Sequence, residues 1–324
     1  MVKAIIVTQP GGPEVLQLED VPLPPPAAGE VQIEHAAIGV NFVDIYHRSG
    51  LYPLPQFPAI PGVEGAGTVV AVGADVHSLR VGDKVAYAGL PVGSYAQARN
   101  LPAHRAIALP HHVDVHQAAA NMLRGITAHM LLHRVGHITQ GQTVLIHAAA
   151  GGLGLILTQW AKRLGAVTIG TVGSPEKAEL AHDHGLDHAI LYKDQDFVAA
   201  TRDLTDGQGV DAAFDGIGGE TLPRTLDCVR PFGLIASIGQ AGGPIAPMPL
   251  GEIGPRRSLT LSRPSVFAYA ADPQSYTQAA QALFAVLSDG LRLSLGAQYA
   301  LADAARAHQD MQSGRTTASP LLVA

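Results

Sequence analysis

A glycine-rich segment is the first candidate for chemistry in this chain. It reads His147-Ala148-Ala149-Ala150-Gly151-Gly152-Leu153-Gly154, follows an apolar run that ends at Ile146, and precedes a helix-compatible stretch. Glycines at such a strand-to-helix turn let the backbone bend sharply and let a pyrophosphate approach the amide groups at the helix N-terminus. The segment therefore predicts a dinucleotide-binding turn, with a glycine turn that holds no ligand as the alternative.

The residues about 20 positions further on indicate which dinucleotide would bind, because an NAD site places Asp or Glu there to bind the ribose hydroxyls. This chain instead has Thr171-Val172-Gly173-Ser174-Pro175-Glu176-Lys177. Ser174 and Lys177 would favour a 2′-phosphate. We interpret Glu176 as a first-turn acid that interacts with the helix dipole. We therefore expect NADPH as the cofactor.

The composition excludes several classes of function. A chain of 324 residues, 47% of them hydrophobic, predicts about two domains with cores of their own. The net charge of −6 and the 5% aromatic content argue against nucleic acid as the main partner. The single cysteine, Cys228, cannot form an internal disulfide, so we expect a reducing, cytoplasmic setting. The apolar run 144–161 contains three glycines and fits a buried strand–turn–helix better than a membrane span.

The pattern of elements changes near Val115. Upstream, short strand-like runs separated by proline and glycine clusters predict a small β-barrel or sandwich. Downstream, as far as about Ile238, apolar strands alternate with helices, which is typical of a parallel sheet covered on both faces. Within that part we expect one helix over 116–135 and another over 221–229.

Several further segments occur together in this chain. They are Asn41-Phe42-Val43-Asp44-Ile45-Tyr46-His47-Arg48-Ser49-Gly50, Pro61-Gly62-Val63-Glu64-Gly65-Ala66-Gly67, Val81-Gly82-Asp83-Lys84-Val85 and Ser262-Arg263-Pro264-Ser265. With these segments and the glycine turn, the chain resembles, over essentially its whole length, the zinc-independent quinone oxidoreductases. These form the zeta-crystallin-like branch of the medium-chain dehydrogenase/reductase superfamily.

The resemblance implies a fold and an activity. The fold would be a Rossmann-type doubly wound parallel sheet domain, residues 125–262, inserted into a GroES-like β-barrel domain made of residues 1–124 and 263–324. The activity would be NADPH-dependent reduction of quinones or other α,β-unsaturated carbonyls by an enzyme that is usually a homodimer.

The resemblance also implies the site residues. Asn41 and Tyr46 would lie where nicotinamide and substrate meet, with Asn41 offering an amide donor to the acceptor's carbonyl oxygen and Tyr46 a phenol. Tyr46 as an aromatic wall packed against the cofactor is the alternative, and we interpret Asp44 as a structural hydrogen-bonding residue. Arg263 would bind phosphate or, alternatively, form a salt bridge. The implied cofactor-binding residues are Asn41, Thr127, Ala150, Gly151, Gly152, Leu153, Gly154, Gly173, Ser174, Lys177, Tyr192, Gly239, Gln240 and Arg263.

No metal site is expected. The zinc-containing relatives in this superfamily use Cys where this chain has Asn41 and His where it has Val63. His129 and His133 lie four residues apart, but a pair lacks a third ligand, so we interpret them as surface or packed histidines. Two other functions stay open: an NADPH-dependent enone or enoyl (alkenal) reductase on the same scaffold, and a non-catalytic NADPH-binding or RNA-associated crystallin-like protein.

Overall fold

The chain forms two compact units in the structure, a computed structural model that describes residues 1–314 and 316–324. The first unit comprises Met1–Ile126, Ala270–Ser288 and Leu293–Ala324, and the second comprises Thr127–Tyr269 and Asp289–Arg292. The first unit is therefore assembled from both ends of the chain, whereas the second comes mostly from its middle.

Strands and helices are numbered separately along the described residues. The strands are β1 (Val2–Ile6), β2 (Gln17–Val21), β3 (Glu30–Gly39), β4 (Glu64–Val72), β5 (Lys84–Ala88), β6 (Ala98–Pro102), β7 (Ile107–Ala108), β8 (Thr143–Ile146), β9 (Val167–Val172), β10 (His188–Leu191), β11 (Val210–Asp215), β12 (Val229–Ser237), β13 (Thr260–Ser262), β14 (Leu295–Ala300) and β15 (Ser319–Val323). The α-helices are α1 (Phe42–Ser49), α2 (Val115–His129), α3 (Gly152–Arg163), α4 (Pro175–Asp183), α5 (Phe197–Asp203), α6 (Thr221–Thr225), α7 (Val266–Ala271), α8 (Pro273–Ser288) and α9 (Ala304–Gln312).

The second unit is built on a six-stranded parallel sheet in the order β10-β9-β8-β11-β12-β13. The chain runs outward from β8 to β10 and then returns to β11 on the other side of β8. That reversal creates a switch point beside β8, where ligands of such sheets bind at the strands' carboxyl ends. Leu145, Ile169, Ala213 and Ile235 are fully buried, as expected for strands of a covered parallel sheet. The predicted Rossmann-type fold is confirmed.

The first unit is a mainly antiparallel seven-stranded sheet. Its order is β14-β15-β3-β4-β5-β7, and β6 also pairs with β3. β15, from the C-terminal end of the chain, pairs with β3 and so closes the two ends of the chain into one sheet. Ile5, Ile38, Val40, Tyr95 and Met311 belong to its core, which draws on both ends of the chain. The predicted GroES-like fold is confirmed.

Two predicted helices differ from the observed ones. The helix expected over 116–135 ends as an α-helix at His129 and continues as a π-helical segment, Met130–Val135. The helix expected over 221–229 stops at Thr225, and after a short 3₁₀ turn Val229 begins β12 by pairing beside Val210. Pairing with a neighbouring strand overrides a local helical pattern. Within the described part of the chain, no helix is both long and apolar enough to cross a membrane.

Candidate functional site

The glycine turn of the second unit lies between β8 and α3. Ala148 adopts a left-handed backbone conformation with φ of 53°, and Gly151 caps α3. A Cβ on Gly154 would lie 2.7 Å from Ala149 Cα and would overlap the Ala148 carbonyl oxygen, so only glycine fits there. Because the first amide groups of a helix have no acceptor within the helix, this tight turn presents donors to an anion.

His147 anchors that turn. Its Nδ1 lies 3.0 Å from the Thr171 hydroxyl and its Nε2 lies 2.9 Å from the Thr225 hydroxyl. Thr171 Oγ1 also accepts from the amide of Ala148, the first residue of the turn, at 3.4 Å. Burial lowers the pKa of His147, so the ring is neutral at neutral pH and can accept one hydrogen bond while donating another. This role of His147 was not predicted from the sequence.

The ends of β9 and β10 form a second cluster around Gly173. Ser174 caps α4 by accepting from the Lys177 amide at 3.3 Å, and its hydrogen bond to Glu176 lowers the pKa of that carboxyl. The Tyr192 hydroxyl lies 3.2 Å and the Lys193 Cε 3.6 Å from the position of a Cβ on Gly173. Lys193 was not among the cofactor-binding residues predicted from the sequence, although it directly follows Tyr192 in the chain.

The loops after β12 and β13 lie at the same edge of the sheet, because all six strands are parallel. A Cβ on Gly239 would lie 2.7 Å from the Gly216 carbonyl oxygen, so this loop rests against the one after β11. Arg263 follows β13 and donates to Ser237 Oγ at 2.9 Å. The structure thus brings together the sequence-predicted residues after β8, β9, β10, β12 and β13, while Thr127 is half-buried near the end of α2.

In the first unit, two buried carboxyl groups hold Asn41. The side-chain Nδ2 of Asn41 donates to Glu64 Oε1 at 2.8 Å, and its main-chain N donates to Asp44 Oδ2 at 2.8 Å. All three residues are buried. Asn41 is therefore fixed both by its backbone and by its side chain at the start of α1.

Glu64 is held from several directions. Its Oε2 accepts from the Leu123 amide at 2.6 Å, and its Oε1 forms an ion pair with Arg124 at 3.2 Å. Arg124 in turn donates to the Val40 carbonyl at 2.7 Å. Burial raises the pKa of Glu64, and the Arg124 guanidinium opposes that rise. A Cβ on Gly39 would overlap Glu64, so this glycine makes room for the carboxylate.

Asp44 belongs to a chain of buried polar groups. The Tyr95 hydroxyl lies 3.3 Å from Asp44 Oδ2 and 2.9 Å from His308 Nε2, and Arg48 lies 3.3 Å from His308 Nδ1. Burial raises the pKa of Asp44 to about 8 and lowers the pKa of His308 to about 3. A neutral His308 can accept from Arg48 and donate to Tyr95, which leaves the tyrosine proton for Asp44.

Tyr46 lies one helical turn after Asn41, in an aromatic group. Its ring packs edge-on against Tyr52 with centroids 5.2 Å apart, and Phe42 lies at 6.4 Å. The Tyr52 amide donates to the Tyr46 carbonyl at 3.1 Å, which holds the backbones of the two residues together. The ring of Tyr46 is therefore mostly buried.

The two helical histidines pack in an aromatic cluster of the second unit. The rings of His129 and His133 lie 4.8 Å apart, and both lie within 6 Å of Trp160. His129 Nδ1 lies 2.9 Å from the Tyr269 hydroxyl. Over residues 1–314 and 316–324, no group of three or more His, Cys, Asp or Glu side chains is arranged to hold a metal ion.

Both units match models of known protein families. Residues 27–111 match the model of the alcohol dehydrogenase GroES-like domain, and residues 152–285 match that of the zinc-binding dehydrogenase. A quinone oxidoreductase of Pseudomonas aeruginosa is 43% identical over the full length of both chains, and a 2-haloacrylate reductase of Burkholderia is 40% identical over 100% of this chain and 99% of its own. The crystal structure of Escherichia coli quinone oxidoreductase complexed with NADPH superposes with a TM-score of 0.96 at 40% identity, covering 99% of this chain and 100% of that one.

Proposed function

Because the chain belongs to the quinone oxidoreductase family of the medium-chain dehydrogenase/reductase superfamily, we propose that it transfers a hydride from NADPH to a quinone without a metal ion. The observation that carries the proposal is the tight glycine turn, where Gly154 packs so closely on the backbone of Ala148 and Ala149 that a Cβ would overlap it. Such a turn at the switch point of a parallel sheet accommodates a pyrophosphate.

The cofactor would lie along the carboxyl edge of the sheet in the second unit. Ala150, Gly152, Leu153 and Gly154 would bind the pyrophosphate through backbone amides, and Gly151, whose amide donates to the Ala148 carbonyl oxygen at 2.8 Å, would let it approach the turn closely. The guanidinium of Arg263, steadied by Ser237, is suited to a phosphate oxygen. The remaining proposed contacts are Asn41, Thr127, Gly239 and Gln240.

The cluster around Gly173 would select NADPH over NADH. Lys177 and Lys193 supply two positive charges near the ends of β9 and β10, and Tyr192, which is half exposed, offers an aromatic face to adenine. A 2′-phosphate carries a charge that both lysines attract. Lys177→Ala should weaken NADPH binding more than NADH binding, and Lys193→Ala should do so as well. Equal losses for the two cofactors would argue against this assignment.

When bound, NADPH supplies the hydride. The residues of the first unit then have to hold the acceptor and contact its oxygen atoms. Asn41 would do so through a hydrogen bond from its fixed amide, and Tyr46 would do so through its ring or its phenol. The overall reaction consumes NADPH, one quinone and one proton and yields NADP⁺ and the hydroquinone. A quinone accepts hydride readily, so a strong general acid is not required.

The experiment that tests the proposal is a panel of NADPH oxidation assays. The acceptors are benzoquinone, naphthoquinone and a 2-alkenal, an allylic alcohol serves as the comparison compound without a carbonyl group, and NADH is run in parallel. We expect turnover with the quinones and preference for NADPH. Tight NADPH binding without turnover on any acceptor would contradict the proposal and favour the non-catalytic alternative, a cofactor-binding or RNA-associated protein.

A second candidate, reduction of an activated carbon–carbon double bond, is favoured by one observation. The 2-haloacrylate reductase is related to this chain almost as closely as the quinone oxidoreductases are, over the whole length of both proteins. The same hydride donor would then act on a substrate carbon instead of a quinone oxygen. A 2-haloacrylate added to the panel separates the two, since the better substrate has the higher kcat/KM.

We also propose a cytoplasmic homodimer. The single buried cysteine of the chain fits a reducing compartment, since no disulfide within the chain depends on oxidation. Light scattering at micromolar concentration checks the dimer: a mass of twice the 33.6 kDa chain is expected, and the monomer mass would contradict it.

A further inference from the structure

The hydrogen bonds around His147 determine which of its ring nitrogens carries the proton. The Thr225 hydroxyl donates to the Thr221 carbonyl at 2.9 Å, so its oxygen can accept from His147 Nε2 at 2.9 Å. The Thr171 oxygen accepts from the Ala148 amide, and its hydroxyl proton points to His147 Nδ1 at 3.0 Å. The opposite tautomer would leave that hydroxyl proton without an acceptor among the described residues. The ring is therefore neutral, with its proton on Nε2.

Thr171, at the end of β9, holds two successive amides of the turn. Its main-chain oxygen accepts from the Ala149 amide at 3.0 Å, and its hydroxyl oxygen accepts from the Ala148 amide at 3.4 Å. The second bond depends on His147, because the ring takes the hydroxyl proton and so leaves the lone pairs of the oxygen to Ala148. The imidazole therefore sets the direction of a hydrogen bond that it does not itself make.

Ala148 is the residue whose conformation this bond fixes. Its backbone is left-handed, with φ of 53°, which is unfavourable for a residue that carries a Cβ. Its carbonyl oxygen accepts from the Gly151 amide at 2.8 Å and packs against Gly154. Such a conformation persists only where the surrounding groups hold it. Relaxation of Ala148 to an ordinary φ would turn that carbonyl away from Gly151 and move the amides that follow.

We propose that His147 and Thr171 are positioning residues that keep the glycine turn in its pyrophosphate-binding shape before the cofactor binds. The inference rests on the proposed function, in which the amides that follow Ala148 bind the pyrophosphate. Both side chains are buried, and they act through the backbone. The effect passes from the His147 ring to the Thr171 hydroxyl and from that hydroxyl to the Ala148 amide.

Two substitutions of Thr171 separate the role of its hydroxyl from that of its shape. Thr171→Val removes the acceptor of the Ala148 amide, so the dissociation constant of NADPH should rise about 5- to 20-fold. Thr171→Ser keeps the hydroxyl, and the constant should stay within about threefold of the wild-type value. Thr168→Val is the matched control and should leave the constant unchanged. Thr168 is buried on the same strand, but its hydroxyl bonds to Asp187, which precedes β10.

Two substitutions of His147 separate the roles of its nitrogens. The side-chain oxygen of an introduced asparagine takes the place of Nδ1 and accepts from Thr171, whereas the amide nitrogen of an introduced glutamine takes the place of Nε2 and donates to Thr225. Each variant loses one hydrogen bond and the edge-on packing against Phe197, so both should melt below the wild type. The dissociation constant of NADPH should rise about 5- to 20-fold in His147→Gln and less than about threefold in His147→Asn. A residue that supported only the fold would affect binding equally in both.

Three measurements on the full chain test the proposal. Trp160 fluorescence gives the dissociation constant of NADPH, and the thermal midpoint gives the stability of each variant. Hydrogen exchange of the segment 147–154 without NADPH reports on the turn itself. We expect that segment to exchange faster in Thr171→Val and His147→Gln than in the wild type and Thr168→Val.

The comparison within each pair decides the outcome. Wild-type affinity in Thr171→Val, or losses of affinity that simply follow the thermal midpoints of all the variants, would overturn the inference while wild-type quinone reduction remains intact. If the His147 variants do not fold, the two Thr171 variants decide alone. Absence of NADPH binding or of turnover in the wild type overturns the proposed function instead. The exchange rates then still decide whether the two side chains hold the turn, and unchanged rates in Thr171→Val would show that they do not.

Discussion

Replacement of Gly154 by alanine tests the cofactor turn directly. The new Cβ would lie 2.7 Å from Ala149 Cα and 2.8 Å from its carbonyl carbon, whereas carbon atoms pack at about 3.5–4.0 Å. The turn must therefore open by about 0.7–1.3 Å. Overpacking of this kind costs about 1–3 kcal/mol of stability.

The effect on binding is separate from the effect on folding. The shift displaces backbone amides that would donate to the pyrophosphate, and a charge-assisted hydrogen bond contributes about 1.5–3 kcal/mol. Loss of one such bond predicts an increase of about 10- to 150-fold in the dissociation constant of NADPH.

Titration of NADPH against Trp160 fluorescence measures this constant, and a thermal melt measures the stability. Trp160 lies on α3, two turns beyond the glycine turn, and is the single tryptophan of the chain. Gly151→Ala is the matched control. Its backbone has an ordinary φ of −79°, and its Cβ would meet the Ala148 carbonyl oxygen at 3.1 Å, so a smaller loss is expected. Wild-type affinity in Gly154→Ala, or a greater loss in Gly151→Ala, would refute the reasoning.

Three further predictions concern the first unit. The pKa of Asp44 is raised to about 8 in the folded protein, so the stability that its protonated form contributes is present below pH 4 and is lost as pH rises through 8. Asp44→Asn should therefore flatten the fall in unfolding free energy between pH 5 and 9. A parallel fall in both proteins would contradict this prediction. Burial lowers the pKa of His35 to about 4 and of His308 to about 3. The stability that these neutral rings contribute should therefore be present above pH 6.5 and decline as pH falls towards 3, as measured by chemical denaturation. The unfolding free energy of His308→Gln should decline less steeply, and an identical decline would exclude this cause. Tyr46→Phe keeps the packing on Tyr52, so unchanged kcat would assign Tyr46 to packing, whereas a fall of about tenfold or more would assign its phenol a chemical role.

Local patterns were sufficient to predict the parallel sheet of the second unit, whereas the assembly of the first unit from both ends of the chain was implied only by the family resemblance. The alternation of apolar strands and helices identified the parallel sheet, and the glycine turn identified the point where β8 ends and α3 begins. Both depend on residues near each other in the chain. The helix expected over 221–229 was wrong at its end, because Val229 pairs with a strand that sequence periodicity does not reveal.

The contacts around Asn41 could not be predicted in the same way. Glu64 lies 23 residues after Asn41 and 60 before Arg124, yet the three side chains form one buried group. Glu64 was visible as part of a family motif, but nothing local indicated that it would fix the direction of the Asn41 amide. The position of Lys193 near the cofactor site could not be predicted for a similar reason, because its proximity to Gly173 depends on the pairing of β10 with β9.

The most direct test of the central claim is the oxidation of NADPH by benzoquinone after exhaustive treatment of the protein with a chelator. NADPH deuterated at the transferred position, run beside ordinary NADPH, reports whether hydride transfer limits the rate. We expect undiminished turnover after chelation, a preference for NADPH over NADH, and transfer of the label out of the cofactor. Activity that disappears on chelation and returns with zinc would contradict it, as would NADPH binding with no turnover on any quinone.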